Sequence, residues 1–243
     1  MNCLFWNPRG VQAPGRQQAI VDLLNKTHAN MIGFQETKKE KIADSYLKSL
    51  VGNRIFSWNS LPANGSAGGI LVGVDFNFFD IISWDIRDFS VSVIVKIKSL
   101  DVTVRVITVY GPSYDDKKEA FISELHSLFL DFQGHTLIGG DFNLVRFQSD
   151  KSNGVIDHRW SSKFNSWVEL WSLLEVKLSG RIFTWANNQE NLIMSNIDRV
   201  FCDIEIDQIF PLASIQALPR MGSDHTPILW ECGIGFAPKT CYI

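Results

Sequence analysis

Two β-branched runs, Val91 to Lys98 and Val102 to Tyr110, bracket the turn Ser99-Leu100-Asp101 and constrain this chain more than any other stretch. Valine, isoleucine and threonine crowd a helix with two heavy atoms on Cβ, but they pack well on a pleated surface. The runs therefore predict adjacent antiparallel strands. Shorter apolar runs at Asn2 to Trp6, Asn30 to Phe34, Gly69 to Val74, Thr136 to Gly139, Arg181 to Trp185, Asp198 to Phe201 and Pro227 to Glu231 extend the pattern to nine or more strands.

Between these strands the periodicity changes. Phe121, Leu125, Leu128, Phe129 and Phe132 recur at helical spacing, as do Trp160, Phe164, Trp167, Leu170, Trp171 and Leu174, so each run predicts a helix burying one stripe. These aromatics read as core, not as a platform for stacking bases. A third helix is expected from about Pro14 to Lys26, with Ile20, Leu23 and Leu24 inward and Pro14 near the first turn. Two sheets packed face to face with helices outside would bury every stripe, which makes the fold class α/β. The 243 residues suit one such domain. With 45% hydrophobic and 20% charged residues, neither a disordered chain nor a coiled coil is indicated. The domain is expected to span 1–232, followed by a loose tail over 233–243.

Cysteines at 3, 202, 232 and 241 lack the close-pair spacing of a zinc site and read as reduced thiols of an intracellular protein, nuclear or cytosolic. Met1 to Gly10 has neither the basic nor the apolar region of an export leader, and no run approaches the ~20 apolar residues of a membrane span. A soluble monomer with no membrane contact and no obligate protein partner is expected. The net charge of −3 argues against broad electrostatic adhesion to DNA but leaves room for a local basic patch. Lys38, Lys39 and Lys41 supply either such a patch or a solvated helix face.

Two polar clusters sit at the ends of apolar strands: Gly140-Asp141-Phe142-Asn143 after Thr136 to Gly139, and Ser223-Asp224-His225 before Pro227 to Trp230. Carboxylates, a carboxamide and an imidazole at strand ends are the groups that a metal-assisted attack of water on a phosphodiester requires. Either cluster alone is more often explained by turns, because Asp, Asn and Ser hydrogen-bond their own backbone.

Taken in order, Trp6-Asn7-Pro8-Arg9-Gly10, Gln35-Glu36-Thr37, Val109-Tyr110-Gly111-Pro112, Gly140-Asp141-Phe142-Asn143, Ile197-Asp198-Arg199 and Ser223-Asp224-His225 form a more specific series. The chain resembles the endonuclease/exonuclease/phosphatase superfamily. Within it, the chain looks like the endonuclease domain of LINE-type (non-LTR) retrotransposons, particularly the plant elements, over about residues 2 to 232. The resemblance implies a four-layered α/β sandwich and a hydrolase dependent on magnesium (Mg2+) or manganese (Mn2+), with DNA as partner.

By that resemblance, Glu36 is the principal ligand of the cation, Asn7 orients Glu36 or a water on the cation, and Asp224 lies on the metal side. Asp141 positions and deprotonates the attacking water, and Asn143 holds the same water or a phosphate oxygen. His225 donates to the non-bridging oxygen and Asp198 orients it, while the Tyr110 hydroxyl points at the scissile phosphate. Thr184 and Ser223 match positions that touch the nucleic-acid backbone, and Arg9 is placed with them. Four assignments keep a plainer alternative: Glu36 could be an ordinary turn glutamate, Asn7 a strand-end amide in a turn, Tyr110 could only pack, and Asp224 could only cap a turn with Ser223. His28, His126, His135 and His158 match nothing in the series.

The chain also departs from the pattern. Several relatives, including abasic-site repair enzymes, carry an acidic residue where this chain has Arg9, which puts a second cation in doubt. Pro8 removes a ladder donor beside a strand end. Asn64 to Gly69 is a hairpin turn or a phosphate cradle. The expected activity is nicking of one DNA strand to leave a 3′-hydroxyl, as at a retrotransposon target site. Two rivals remain open: a phosphatase of the same superfamily acting on an inositol phosphate or lipid head group, and an inactive nucleic-acid-binding relic.

Overall fold

The β-branched hairpin forms in full register, with Ser90 opposite Val109 at one end and Ile97 opposite Val102 at the other. A computed structural model describes residues 1–65 and 67–233. Ser66 of the glycine-rich stretch and the expected tail from 234 onward lie outside the described residues.

In chain order the first half builds β1 (Asn2–Trp6), α1 (Arg16–Thr27), β2 (Met31–Gln35), α2 (Asp44–Val51), β3 (Phe56–Leu61), β4 (Ile70–Asp75), β5 (Phe79–Ile86), β6 (Ser90–Ile97) and β7 (Val102–Tyr110). The second half adds α3 (Asp115–Leu130), β8 (Thr136–Asp141), α4 (His158–Leu170), β9 (Leu174–Glu175), β10 (Leu178–Ser179), β11 (Trp185–Ala186), β12 (Met194–Ser195), β13 (Asp198–Cys202), α5 (Ile204–Ile209), β14 (Ser214–Ala217) and β15 (Ile228–Glu231). One sheet of seven strands has the order β10-β14-β15-β1-β2-β4-β3. Another of six has the order β5-β6-β7-β8-β13-β9, and β11 with β12 forms a two-stranded sheet.

Period-two alternation divides each central strand between two cores. Cys3 and Phe5 of β1 face the other sheet and pack in one cluster with Val93 and Val95 of β6 and Val104 and Val106 of β7. Leu4 and Trp6 face away, covered by Ile20, Leu23 and Leu24 of α1 and Leu47 and Leu50 of α2. On the far side Ile107, Val109 and Ile138 lie beneath Phe121 and Leu125 of α3 and Phe164 and Trp167 of α4. The result is helix, sheet, sheet, helix: the four-layered α/β sandwich. Because both faces of the central strands are buried, those strands read as continuous apolar runs. The sheets approach so closely at Gly33 that a Cβ there would lie 2.4 Å from Thr108 Oγ1.

Several elements differ from the sequence expectation. β3, β5 and β14 were not anticipated. β3 and β5 are edge strands, and all three carry polar or half-exposed residues that blur the apolar pattern. α1 begins at Arg16 behind a left-handed Gly15, so Pro14 precedes the helix. Leu170 is exposed at the end of α4, and of Arg181 to Trp185 only Trp185 is extended. Lys38, Lys39 and Lys41 follow β2 in irregular backbone, not on a helix. Among the described residues no helix is long and apolar enough to cross a membrane.

Candidate active site

Strand direction decides which polar ends meet. β1 and β2 run parallel, so Asn7 and Glu36, each one residue beyond its strand, emerge at the same edge. β15 is antiparallel to β1, so its entrance, preceded by Ser223-Asp224-His225, opens at that edge too. In the other sheet β7 and β8 run parallel and finish with Tyr110 beside Asp141, while antiparallel β13 starts with Asp198 opposite Asp141.

Backbone strain concentrates at this edge. Arg9 (φ 52°), Glu36 (φ 50°), Lys38 (φ 57°) and Asn143 (φ 50°) all lie in the left-handed region. Each costs on the order of 1–3 kcal/mol and persists only where surrounding contacts hold it, a pattern that gathers at functional sites. Gly140, with φ 134°, bends β8 just before Asp141; a Cβ there would lie 2.3 Å from the Val109 carbonyl oxygen.

Asn7 is the hub of the cluster. Its Nδ2 donates to Asp141 Oδ2 at 2.9 Å and Glu36 Oε2 at 3.1 Å, and its Oδ1 accepts from the Arg9 backbone N–H at 3.0 Å. Asp141 Oδ1 accepts from the Asn143 backbone N–H, and Asn143 Nδ2 donates to the Gly111 carbonyl at 2.8 Å and to Asp141 Oδ2 at 3.3 Å. His225 Nδ1 sits 3.0 Å from both Asp198 carboxylate oxygens, and its Nε2 is 3.7 Å from Asp141 Oδ2. Asp141, Asp198, His225 and Asn7 are all buried.

Glu36 and its neighbours are more open. Glu36 Oε1 meets Lys38 Nζ at 3.0 Å and Arg9 Nε at 3.5 Å. Asp224 Oδ2 accepts from Arg9 Nη1 at 2.6 Å and from Trp185 Nε1 at 3.0 Å. The Arg9 side chain is 49% exposed, against 8% for that of Asp224. A cavity of about 560 Å³ is lined by Asn7, Arg9, Glu36, Asp141 and His225 and continues past Tyr114 and Lys151.

Burial and charge oppose one another in setting protonation here. Burial of His225 disfavours its cation, but Asp198 and then Asp141 more than offset this and hold the imidazole pKa up at about 9. Burial pushes the Asp141 carboxyl up to about 7, with cationic His225 pulling it down and Asp198 adding to the rise. Burial, then Glu36 and Asp141, drive the Tyr110 phenol well above its ordinary value, so it stays protonated. At neutral pH this edge presents an imidazolium donor beside a carboxyl group poised to accept a proton.

Two groups have oxygen or nitrogen atoms arranged for a cation. Asp141, Asp198 and His225 offer ligand atoms within 4.8 Å of one another. A ring held protonated between two carboxylates has no lone pair to give, so this trio fits an ion pair better than a metal. Glu36 is a hard oxygen donor facing the cavity, and two cationic side chains are already drawn to one of its oxygens. That donor chemistry fits a hard divalent cation.

The remaining expected residues are spent inward. Thr184, expected on the nucleic-acid backbone, is fully buried, and its Oγ1 accepts from the Ile197 and Asp198 backbone N–H groups at 3.1 and 3.0 Å. Ser223 Oγ donates to the Asn7 carbonyl at 2.7 Å and accepts from the His225 N–H at 3.2 Å. Both hydroxyls hold the site's frame. Three contributors escaped sequence reasoning: Trp185 on Asp224, Trp6 whose Nε1 donates to the His225 carbonyl at 3.3 Å, and Arg16, which donates to the Met221 and Gly222 carbonyls. Trp6 and Trp185 lie inside or beside quoted motifs, which was the available signal; Arg16 carried none.

Comparison with known proteins places this geometry in a wider group. No curated protein sequence matches the chain. Among solved structures it is similar to a 3′-5′ exonuclease from Neisseria meningitidis, with a TM-score of 0.75 at 15% identity, covering 95% of this chain and 99% of that one. It is also similar to the endonuclease domain of TRAS1, a telomere-specific non-LTR retrotransposon, with a TM-score of 0.72 at 14% identity, covering 94% and 96%. An AP endonuclease from Leishmania major gives 0.74 at 12% identity, covering 94% and 86%. The model of the endonuclease/exonuclease/phosphatase family matches residues 1–225. With nearly the whole described chain inside that match, the protein belongs to the endonuclease/exonuclease/phosphatase family.

Proposed function

We propose that this chain is a divalent-cation-dependent DNA endonuclease that nicks one strand and leaves a 3′-hydroxyl, the reaction expected of a LINE-type retrotransposon nuclease. Family members generally hydrolyse phosphodiester or phosphate bonds. The observation that carries the finer reading is the pairing of Asp141 with a protonated His225, Nε2 to Oδ2 3.7 Å, on the wall of an open cavity. A proton acceptor and a cationic donor so close can serve the two sides of one phosphoryl group.

Asp141 takes the proton of the attacking water, which Asn143 helps to orient. The water oxygen bonds to phosphorus as the bond to the 3′-oxygen breaks, and the departing oxygen takes a proton from solvent to become the 3′-hydroxyl. His225 Nε2–H donates to a non-bridging oxygen, where negative charge accumulates. Asp198 keeps the ring charged and aimed, and Tyr110 adds a second neutral donor. Glu36, with Asn7 and Asp224 beside it, would hold magnesium or manganese, which when bound supplies positive charge for the leaving oxygen.

The likeness to DNA-acting nucleases and the open cavity both support a polymeric substrate. The test is conversion of supercoiled plasmid to nicked circles by the parent and by Glu36→Gln, with magnesium, manganese or EDTA. Nicking by the parent that EDTA abolishes, and 3′ ends that a DNA polymerase extends, are expected. Phosphate release from small esters with no nicking would favour a phosphatase instead, and DNA binding without cleavage under any divalent ion would mark an inactive relic.

A further inference from the structure

We infer that Lys151 grips a backbone phosphate beside the scissile one, so that the cavity holds a second phosphate of the strand and not only the one that reacts. The inference rests on the reading that the substrate is DNA.

Among the described residues four cationic side chains line the cavity, those of Arg9, Lys38, His225 and Lys151. Three are already spent on carboxylates: Arg9 on Asp224 and Glu36, Lys38 on Glu36, and His225 on Asp198 and Asp141. Lys151 forms no ion pair among the described residues. The carboxylate beside it in the chain is taken, since Asp150 accepts from Arg199 Nη2 at 2.6 Å and from the Arg146 and Phe147 N–H groups at 3.1 and 2.9 Å. A phosphate arriving at Lys151 therefore displaces no protein carboxylate, and it gains a charge-assisted hydrogen bond.

The lysine is held where it stands. Its backbone bridges Ser195, another residue of the cavity wall, while Ser152 N–H donates to the Met194 carbonyl at 2.9 Å and Asn196 N–H to the Asp150 carbonyl at 2.8 Å. The Arg199 side chain that pairs with Asp150 is only 2% exposed, so the turn is anchored from inside. Lys151 makes no hydrogen bond to Glu36, Asp141, Asn143 or His225, and the groups proposed for the scissile phosphate leave it no part in the reaction. Its contact with the strand is the same before and during bond exchange, which lowers KM and leaves kcat alone.

Binding of a short fluorescein-labelled DNA duplex, followed by anisotropy in calcium as salt is varied, tests this apart from cleavage. Lys151→Met and Lys151→Gln should each bind about eightfold more weakly at 0.1 M salt, with a slope of log affinity against log salt shallower by about 0.9, the share of one phosphate contact. Lys151→Arg should match the parent. Lys26→Met, which removes the same charge from the exposed last turn of α1, should change neither quantity. With magnesium, plasmid nicking by Lys151→Met should show a raised KM and a kcat within about twofold of the parent. An unchanged slope, a loss shared by Lys26→Met, or a fall in kcat at constant KM would overturn the inference. Binding without nicking would remove the proposed activity and leave the phosphate contact standing; a parent that binds no duplex would remove both.

Discussion

The two halves of the active site carry similar charges and treat them differently. Asp141, Asp198 and His225 are almost wholly buried, Asp141 and His225 in the cavity wall, while Glu36, Arg9 and Lys38 are more open. In the sealed half each charge is locked to fixed partners by geometry, His225 between Asp198 and Asp141, because leaving any of them unpaired would cost several kcal/mol. In the open half solvent and salt screen each pair, so partners can exchange for an incoming cation or phosphate. The division separates setting protonation states from receiving ligands.

Breaking the sealed half should have the largest effect. Asp141→Asn keeps the shape but exchanges one accepting oxygen for a donor and removes the proton acceptor, a function worth roughly 10²–10⁴ in rate. Nicking of supercoiled plasmid should fall to the upper part of that range. A variant within about threefold of the parent would show that the sealed carboxyl is structural.

Asp198→Asn should cost less, about 10²-fold at pH 8, and should reshape the pH profile. Asp141 acts only without its proton, so activity is lost as pH falls through its raised pKa of about 7. His225 acts only with its proton, so activity is lost as pH rises through about 9. The parent profile is therefore a bell between these limits. Removing the Asp198 charge leaves burial to lower the imidazole pKa, and the falling limb should move toward neutral pH. A falling limb that stays in place would mean Asp198 does not sustain the charged ring.

The same contrast separates what the sequence disclosed from what it hid. Asp141 and His225 were visible because each interrupts an apolar strand at its end, and the sheets that gather them followed from β-branched runs such as Val102 to Tyr110. Of the helical stripes Phe121 to Phe132 and Trp160 to Leu174, Phe121 to Phe129 and Trp160 to Trp167 became buried faces of α3 and α4, while Phe132 lies beyond α3 and Leu174 begins β9. Edge strands β3 and β5 were illegible because one flank of each meets solvent, so no apolar alternation survives. In the open half, Arg9 and Asp224 lie 215 positions apart, and their ion pair exists only because β15 is antiparallel to β1. No local pattern records such a meeting. Thr184, matched by resemblance to a nucleic-acid contact, is buried with its hydroxyl turned to the start of β13.

That hydroxyl sharpens the sealed half from outside the reacting groups. Thr184→Val keeps volume but leaves the Ile197 and Asp198 N–H groups without their acceptor. An unmet buried donor costs about 1–3 kcal/mol, so urea denaturation should report a stability loss in that range. Activity should fall only severalfold, through a less firmly held Asp198. Unchanged stability would mean the two N–H groups find other partners.

The smallest effect belongs to the open half. Lys38 Nζ lies 3.0 Å from Glu36 Oε1 with its side chain 34% exposed. Pairs of this kind contribute about 0.2–1 kcal/mol, so Lys38→Met should change the nicking rate by no more than about fivefold. Its dependence on salt is the informative part. Raising ionic strength shortens the screening length from about 10 Å at 0.1 M to 3 Å at 1 M, which should erase the difference between Lys38→Met and the parent in the affinity for manganese. The deficit of Asp198→Asn relative to the parent, set in a buried site, should persist over the same range. If salt rescued both variants alike, the two halves would share one electrostatic environment, and burial would not be what separates protonation from ligand capture.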